Sequence, residues 1–160
     1  MEYLMDPKKR SFLKLGGSFS LLVQGGFFGL SPTAFAKAEE WQEAWFSTKS
    51  LKETFRVMGV NAPESTNRIS LDAPDTAENG AYVGVGVNSG LPQTEAIAIL
   101  VDKNPSVLAG FFKFGSSMKP ELSTKIKMAE TSDVYGLVRA GGNYFINKRS
   151  VKVVLGGCGN

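Results

Sequence analysis

The sequence predicts an all-β protein, a β-sandwich with a helical segment on its N-terminal side and a flexible C-terminal arm. Three observations support this prediction. Seven or eight short apolar runs, separated by turn residues, fill the second half of the chain, as is typical of sandwiches. A stretch before them has helical periodicity. The last five residues are mostly glycine and contain the only cysteine among 160 residues.

The first 36 residues resemble an export signal of the twin-arginine type. Lys8-Lys9-Arg10 supplies the basic region, although Lys9 stands where an arginine is usual. The apolar stretch that follows is too short and too polar to span a membrane comfortably, and Ala34 and Ala36 fit a cleavage site. We therefore expect a periplasmic protein without stable membrane insertion; a retained anchor is the alternative.

These features divide the chain into three parts. The expected boundaries are a signal peptide at 1–36, a helix plus β-sandwich domain at 37–155, and an arm at 156–160. The signal holds four of the 18 basic and two of the 15 acidic residues, which leaves a net charge of +1 on the mature chain. So small a charge predicts no nucleic-acid partner. The chain has no histidine, which excludes Cys-His and Ser-His nucleophilic sites and most zinc, copper and haem sites.

The segment from Lys37 to Met58 is predicted to be helical, as one helix or as two short ones separated near Ser47-Thr48. Ser50 and Glu53 have capping-box spacing, and Gly59 stands where a helix would end. Tryptophans on a helix are more often packing anchors than a ligand cage, and we interpret this pair so. The apolar positions of the helical stripe are Trp41, Trp45, Leu51, Phe55 and Met58.

A strand with one bare face is predicted from Ala81 to Asn88. Three valines alternate there with Gly84 and Gly86, so one face is β-branched and the other has no side chains. Glycine weakens a strand unless another backbone approaches closely. The face therefore indicates either a docked partner or a bulge or twist within the domain.

The other strands follow from alternation or from continuous apolar character. Ile69 and Leu71 share one face of a strand that Ala73-Pro74-Asp75 ends, and Glu78-Asn79-Gly80 is predicted to be a turn. Glu95 to Asp102 is apolar on both faces, which predicts a central strand. Gly141-Gly142-Asn143 predicts a hairpin turn. Further strands are predicted at 107–114, 124–129, 134–138, 144–146 and 150–155.

The carboxyl-terminal residues predict an exposed thiol. Cys158 has glycine on both sides and lies close to the chain end, where order is least expected. It cannot form a disulfide within the chain, so it pairs between chains or stays chemically available. A solvated thiol has a pKa near ~8.5 and is mostly protonated at neutral pH, so activation must come from a partner. A frayed tail with an incidental cysteine is the simpler alternative.

The chain resembles the SoxY family, the sulfur-carrier subunit of the thiosulfate-oxidising system. The residues that carry the resemblance, besides the signal, are Ile69-Ser70-Leu71-Asp72-Ala73-Pro74, Ala77-Glu78-Asn79-Gly80, the strand from Val83, Asn104-Pro105, Thr124-Lys125-Ile126-Lys127-Met128-Ala129, Thr131-Ser132, Val151-Lys152-Val153 and Gly156-Gly157-Cys158-Gly159. The family ends in glycine, whereas this chain ends in Asn160.

The resemblance implies a periplasmic carrier with an immunoglobulin-like β-sandwich, paired with a SoxZ-like subunit as a heterodimer. Cys158 would bear the sulfur compound covalently, with Gly156, Gly157 and Gly159 as a swinging arm. The implied partners are a c-type cytochrome that couples thiosulfate to the thiol, a dimanganese hydrolase that removes sulfate and, in some systems, a molybdenum sulfane dehydrogenase. The carrier itself would be no enzyme and would hold no metal or cofactor.

Two further interpretations stay open. After Asp133 the chain has no acidic residue, and its cations would attract anionic adducts or an acidic partner, or would be ordinary solvated charges. The rival function is a non-catalytic exported sandwich, an assembly module joined by an intermolecular disulfide through Cys158. The cations in question are Arg139, Lys148, Arg149 and Lys152.

Overall fold

The computed structural model describes residues 42–156, which form a β-sandwich with two short helices before it. The larger sheet has the strand order β1-β9-β8-β5-β6, with β3 beside the last part of β9; the smaller sheet has the order β2-β4-β7. The sandwich predicted from the sequence is confirmed. The elements are α1 (Glu43–Phe46), α2 (Leu51–Met58), β1 (Glu64–Ser65), β2 (Ile69–Asp72), β3 (Thr76–Asn79), β4 (Val83–Ser89), β5 (Thr94–Val101), β6 (Leu108–Lys113), β7 (Glu121–Ile126), β8 (Ser132–Ala140) and β9 (Asn143–Leu155).

The core lies between the two sheets and is built from alternate residues of each strand. In β4 the three valines point inward and are each 1% exposed, while Gly84 faces solvent. Facing them, Ile97 and Ile99 of β5 are fully buried. Burying one such side chain stabilises the fold by roughly 1.5–3 kcal/mol. The alternation in the sequence therefore predicted the correct inward face.

A second apolar cluster explains why β5 is apolar on both faces. Ala98 and Leu100 point away from the sandwich core and pack with Met58 and Val60 beneath the helices. β5 lies between β8 and β6, so it is paired on both edges, and the two apolar clusters cover its two faces. The prediction of a central strand is confirmed.

The helical segment forms two helices, separated at the predicted place. The Ser50 hydroxyl accepts a hydrogen bond from Glu53 N–H at 3.3 Å, and the Glu53 carboxylate accepts one from Lys49 N–H at 3.0 Å. Gly59 ends α2 with φ +69°, in the left-handed region that favours glycine. Trp45 packs edge-on against Phe111 at 5.1 Å between ring centroids, so it is a packing anchor. Trp41 lies outside the described residues.

The structure corrects the two short strands predicted at 144–146 and 150–155, because β9 is one strand of 13 residues. The polar residues between the two predicted runs have partners that keep the strand continuous. Asn147 donates its side-chain amide to Ile69 O at 2.7 Å, and Lys148 and Arg149 bind carboxylates. The hairpin turn before β9 is confirmed, with positive φ angles of +55° at Gly141 and +78° at Gly142.

A second correction concerns the predicted turn at Glu78-Asn79-Gly80. Glu78 and Asn79 belong to β3, and the chain turns only at Gly80-Ala81. Both β3 and β1 pair in parallel with β9, and neither was predicted, because they are short and polar. β7 also differs, since it begins at Glu121 and ends at Ile126.

Two findings bear on the interpretations left open. The pairing of β4 with β7 runs without a register shift through both glycines, and the pairing with β2 is regular as far as Gly86, so the alternative of a bulge is wrong. Among the helices of residues 42–156, none is long and apolar enough to cross a membrane.

Candidate functional site

The structure describes the point at which the chain leaves the sandwich toward its cysteine. Cys158, Gly157 and Gly159 lie outside the described residues, and Gly156 is the last residue inside them. We call Leu155 and Gly156, with the residues that hold them, the arm root. Its geometry fixes where the thiol-bearing segment begins.

On one side, the arm root is held by β3 and the turn that follows it. Asn79 pairs with Leu155 in the parallel ladder, and Gly80 N–H donates to Leu155 O at 2.7 Å. The turn is itself fixed, because Gly80 O accepts from Met128 N–H at 2.7 Å. The Asn79 side chain also accepts from Ala81 N–H at 2.8 Å, a local turn that asparagine favours. The last residue of β9 therefore lies against a braced edge.

On the other side, Thr131, the residue just before β8 begins, continues the contact with β9. Its hydroxyl oxygen accepts from Val153 N–H at 3.0 Å, and the hydroxyl donates to Val153 O at 3.4 Å. The Thr131 hydroxyl thus satisfies both backbone groups of Val153, which lies beyond the part of β9 that pairs with β8. These bonds extend the pairing of β9 past its last partner in β8.

Asn104 fixes the segment that passes beneath the arm root. Its side-chain amide donates to Lys127 O at 2.7 Å, and its carbonyl oxygen accepts from Ala129 N–H at 2.9 Å. These two bonds span 23 and 25 residues of sequence. The loop between β7 and β8 is therefore held by both the nitrogen and the oxygen of the Asn104 side-chain amide.

At Gly156 the chain passes very close to the backbone of the loop between β7 and β8. A Cβ placed on Gly156 would collide with the carbonyl oxygen of Ala129, a residue whose backbone N–H is bound by Asn104. Glycine allows such an approach because it has no side chain. Gly156 thus has a steric role in the domain that is independent of any motion of the following residues.

The cations that follow Asp133 are mostly neutralised within the domain. Arg139 binds Glu95 at 2.9 Å, Lys148 binds Asp133 at 2.8 Å, and Arg149 binds Asp75 at 2.8 Å. Three of the four cations that follow Asp133 are therefore ion-paired, which favours the interpretation of ordinary surface charges. Lys152 is exposed and occupies the register position opposite Thr76.

The pair of Asp133 and Lys148 shifts both pKa values. The hydrogen bond from Lys148, helped by one from Ser150, lowers the pKa of the Asp133 carboxyl below its ordinary value. The same bond to Asp133 raises the pKa of Lys148. Burial raises the pKa of Tyr135, whose ring centroid lies 6.0 Å from Lys148 Nζ.

The described side chains provide no catalytic constellation at the arm root. Its groups are backbone amides, the hydroxyl of Thr131 and the side-chain amides of Asn79 and Asn104. Across residues 42–156, no three His, Cys, Asp or Glu side chains lie together as a metal-binding group. Asn104 and Thr131 were part of the family resemblance, yet their role as braces could not be predicted, because it depends on contacts over more than 20 residues.

The steric role of Gly156 predicts that alanine disturbs the structure at Gly156 but not at Gly84. Gly156→Ala should weaken local packing by about 1–3 kcal/mol, the usual cost of an overpacked contact, and so open the end of β9. Amide hydrogen exchange at Gly80, which donates to Leu155 O, should therefore become faster. Gly84→Ala is the control, since nothing lies within 4 Å of its added Cβ. Equal protection of Gly80 in both variants would contradict the steric role.

The lowered pKa of Asp133 predicts a specific acid sensitivity. A carboxyl whose pKa is lower in the folded state stabilises the fold above its unfolded pKa of about 3.9, and this stabilisation is lost as pH falls through the folded pKa. Asp133→Asn should therefore lose less unfolding free energy than the wild type between about pH 5 and pH 2, measured by urea unfolding. Lys148→Gln, which removes the main cause of the shift, should give the same flatter profile. Parallel profiles for all three proteins would show that the pair does not matter.

Comparisons with known proteins agree with the resemblance found in the sequence. The family model described as "Sulfur oxidation protein SoxY" matches residues 55–158. The solved structure of the sulfur carrier protein SoxY from Chlorobium limicola f thiosulfatophilum is 33% identical, with a TM-score of 0.58; the match covers 64% of this chain and 93% of that one. No curated protein sequence matches the chain.

One further solved structure is similar in fold only. Superoxide reductase (neelaredoxin) from Ignicoccus hospitalis is 17% identical with a TM-score of 0.49, and the match covers 55% of this chain and 81% of that one. That likeness carries no argument about function. The family match, by contrast, covers well over half of the chain, including the strands of both sheets and the arm root. The chain is an immunoglobulin-like β-sandwich that belongs to the SoxY family of sulfur oxidation proteins.

Proposed function

We propose that this protein is a periplasmic carrier of sulfur compounds in thiosulfate oxidation, and that it binds them covalently through Cys158. The observation that carries the proposal is the extent of the family match, which runs to residue 158, the only cysteine of the chain. The similar protein from Chlorobium limicola is itself named a sulfur carrier protein. The braced arm root supports the same proposal, because it gives the segment that bears the thiol a defined origin.

The proposed chemistry takes place at the thiol while partner enzymes act on it. The Cys158 thiolate forms a sulfur–sulfur bond with the sulfane sulfur of thiosulfate, and two electrons pass to the c-type cytochrome. Water then attacks the sulfonate group in the dimanganese hydrolase, which releases sulfate and two protons and leaves a persulfide on Cys158. In systems that contain it, the molybdenum sulfane dehydrogenase oxidises that remaining sulfur.

The carrier contributes position rather than catalysis in this proposal. An ordinary thiol pKa of ~8.5 leaves only a few per cent of thiolate at neutral pH. Three of the four cations that follow Asp133 are paired with carboxylates of the same chain, so their charge is already largely neutralised. Activation of the thiol is therefore assigned to the partner enzymes, and the chain itself to the role of a non-catalytic subunit.

Export and pairing complete the proposal. Residues 1–36 would direct the protein through the twin-arginine pathway and be removed after Ala36. Because that pathway moves folded proteins, a SoxZ-like subunit without its own signal could cross as a bound partner.

The partner subunit is proposed to cover the outer face of β4. Gly84 has nothing within 4 Å of the position of a Cβ, and a shallow depression of about 300 Å³ lies beside it, lined in part by Gly86, Asp72 and Ser123. Register is continuous through both glycines, so the bare face is a feature of a regular strand. A surface without side chains lets a second backbone approach closely.

Intact mass of the protein isolated from thiosulfate-oxidising cells tests the carrier function. We expect a chain that begins at Lys37 and carries sulfane or sulfonate adducts, which peptide mapping should place on Cys158. Cys158→Ser should abolish both the adducts and thiosulfate oxidation, with an unchanged melting temperature. A uniform disulfide between Cys158 and another protein would instead support the assembly module, and full-length chain in the membrane fraction would contradict removal of the signal.

A lysine on the bare face of β4 tests the proposed subunit interface. Gly84→Lys should leave the fold intact, because the side chain enters open space, and should reduce co-purification of the partner subunit at least tenfold. Ala109→Lys is the matched control, since it also adds a lysine to an exposed small residue of a strand, on β6 of the other sheet. Equal recovery of the partner with both variants would place the interface elsewhere.

A further inference from the structure

Exposed apolar side chains concentrate at the arm root. Within the described part of the chain, the large apolar residues with high exposure are Tyr82 at 73%, Leu155 at 66%, Val154 at 61% and Met118 at 58%. Val154 and Leu155 are the two residues before Gly156, and Tyr82 lies in the turn whose Gly80 N–H binds Leu155. Single exposed apolar residues are normal, but a group of them marks a surface that another molecule covers. We call Tyr82, Val154 and Leu155 the apolar collar.

The backbone holds the apolar collar in a fixed arrangement. Val154 and Leu155 are neighbours in β9, so their side chains point to opposite faces of the sheet. Tyr82 N–H donates to Asn79 O at 3.4 Å, and Asn79 pairs with Leu155, which places the tyrosine in the turn beside the strand end. Apolar groups thus flank the exit of the chain on both faces of the sheet.

The length of chain beyond Gly156 determines what must cover the apolar collar. Cys158 is two residues further, so its Cα lies at most about 7 Å from that of Gly156, at ~3.3–3.6 Å per residue. An enzyme that acts on the thiol of Cys158, or on a sulfur compound bound to it, must therefore bring its reactive centre close to the arm root. If the centre is recessed, the surface around its entrance necessarily contacts Val154, Leu155 and Tyr82.

We propose that the apolar collar is the docking surface for the rim of the active-site entrance on the partner enzymes that process the sulfur adduct. The proposal rests on the carrier function proposed above and names the surface through which it operates. The matching rim is apolar. Apolar contact is non-directional, so one collar can serve several enzymes in turn. Three side chains are also far fewer than the 20–30 residues a side of a stable interface, so each enzyme can release the carrier.

The carrier in complex with its partner subunit is the protein to test. The variant is Tyr82→Ser combined with Leu155→Ser, which removes apolar surface but keeps every backbone hydrogen bond of the arm root. Met118→Ser is the matched control, because Met118 is comparably exposed but lies at the other end of the smaller sheet. It precedes β7 where Glu121 pairs with Asn88. The apolar collar lies at the opposite end of β7, where Ile126 pairs with Val83. The assay measures coupling of thiosulfate to Cys158 by the c-type cytochrome at varied carrier concentration.

We expect the KM for the double variant to rise at least tenfold, with kcat and the alkylation rate of Cys158 by iodoacetamide unchanged. Met118→Ser should behave like the wild type. A double variant with the KM of Met118→Ser would overturn the proposal and leave the carrier function standing. So would a fall in kcat alone, or loss of the partner subunit from the complex. If the wild type itself gains no sulfur on Cys158, the carrier function fails instead.

Discussion

The backbone pairing of β9 fixes where the chain leaves the sandwich. The strand pairs with β8 over nine successive positions and with β1 and β3 in parallel at its two ends. At its last residues, Thr131 replaces the strand neighbour that β8 no longer supplies. Because hydrogen bonds are made on both edges of β9, Leu155 and Gly156 have a defined position at the end of the described chain. The proposed reach of Cys158 is measured from that position.

The sequence predicted the parts of the fold that depend on local pattern. The valines of β4 alternate with glycines, and they are buried as the alternation requires. The two apolar faces of β5 correspond to two separate clusters, one between the sheets and one beneath the helices. Ser50 and Gly59 lie at the two ends of α2 because their effects act within one helical turn. In each case the residues that determine the element lie close together in sequence.

The parts that sequence could not predict depend on distant partners. Glu78 and Asn79 have the composition of a turn, and only the edge of β9 makes them a strand. Asn147, Lys148 and Arg149 look like an interruption of β9, but Ile69, Asp133 and Asp75 satisfy their side chains. Asn104 and Thr131 brace the arm root across more than 20 residues. The cysteine was prominent in the sequence, whereas the residues that position its segment were not.

The two-sided pairing of β9 also has a mechanical consequence. A force that pulls outward on the carboxyl end of β9 acts along the axis of that strand. The hydrogen bonds of the flanking ladders run mainly across that axis, so they are loaded in shear and share the load over many residues. A terminal strand paired this way resists unravelling from its free end. The sandwich should therefore keep its fold when its last strand is pulled repeatedly from the carboxyl end.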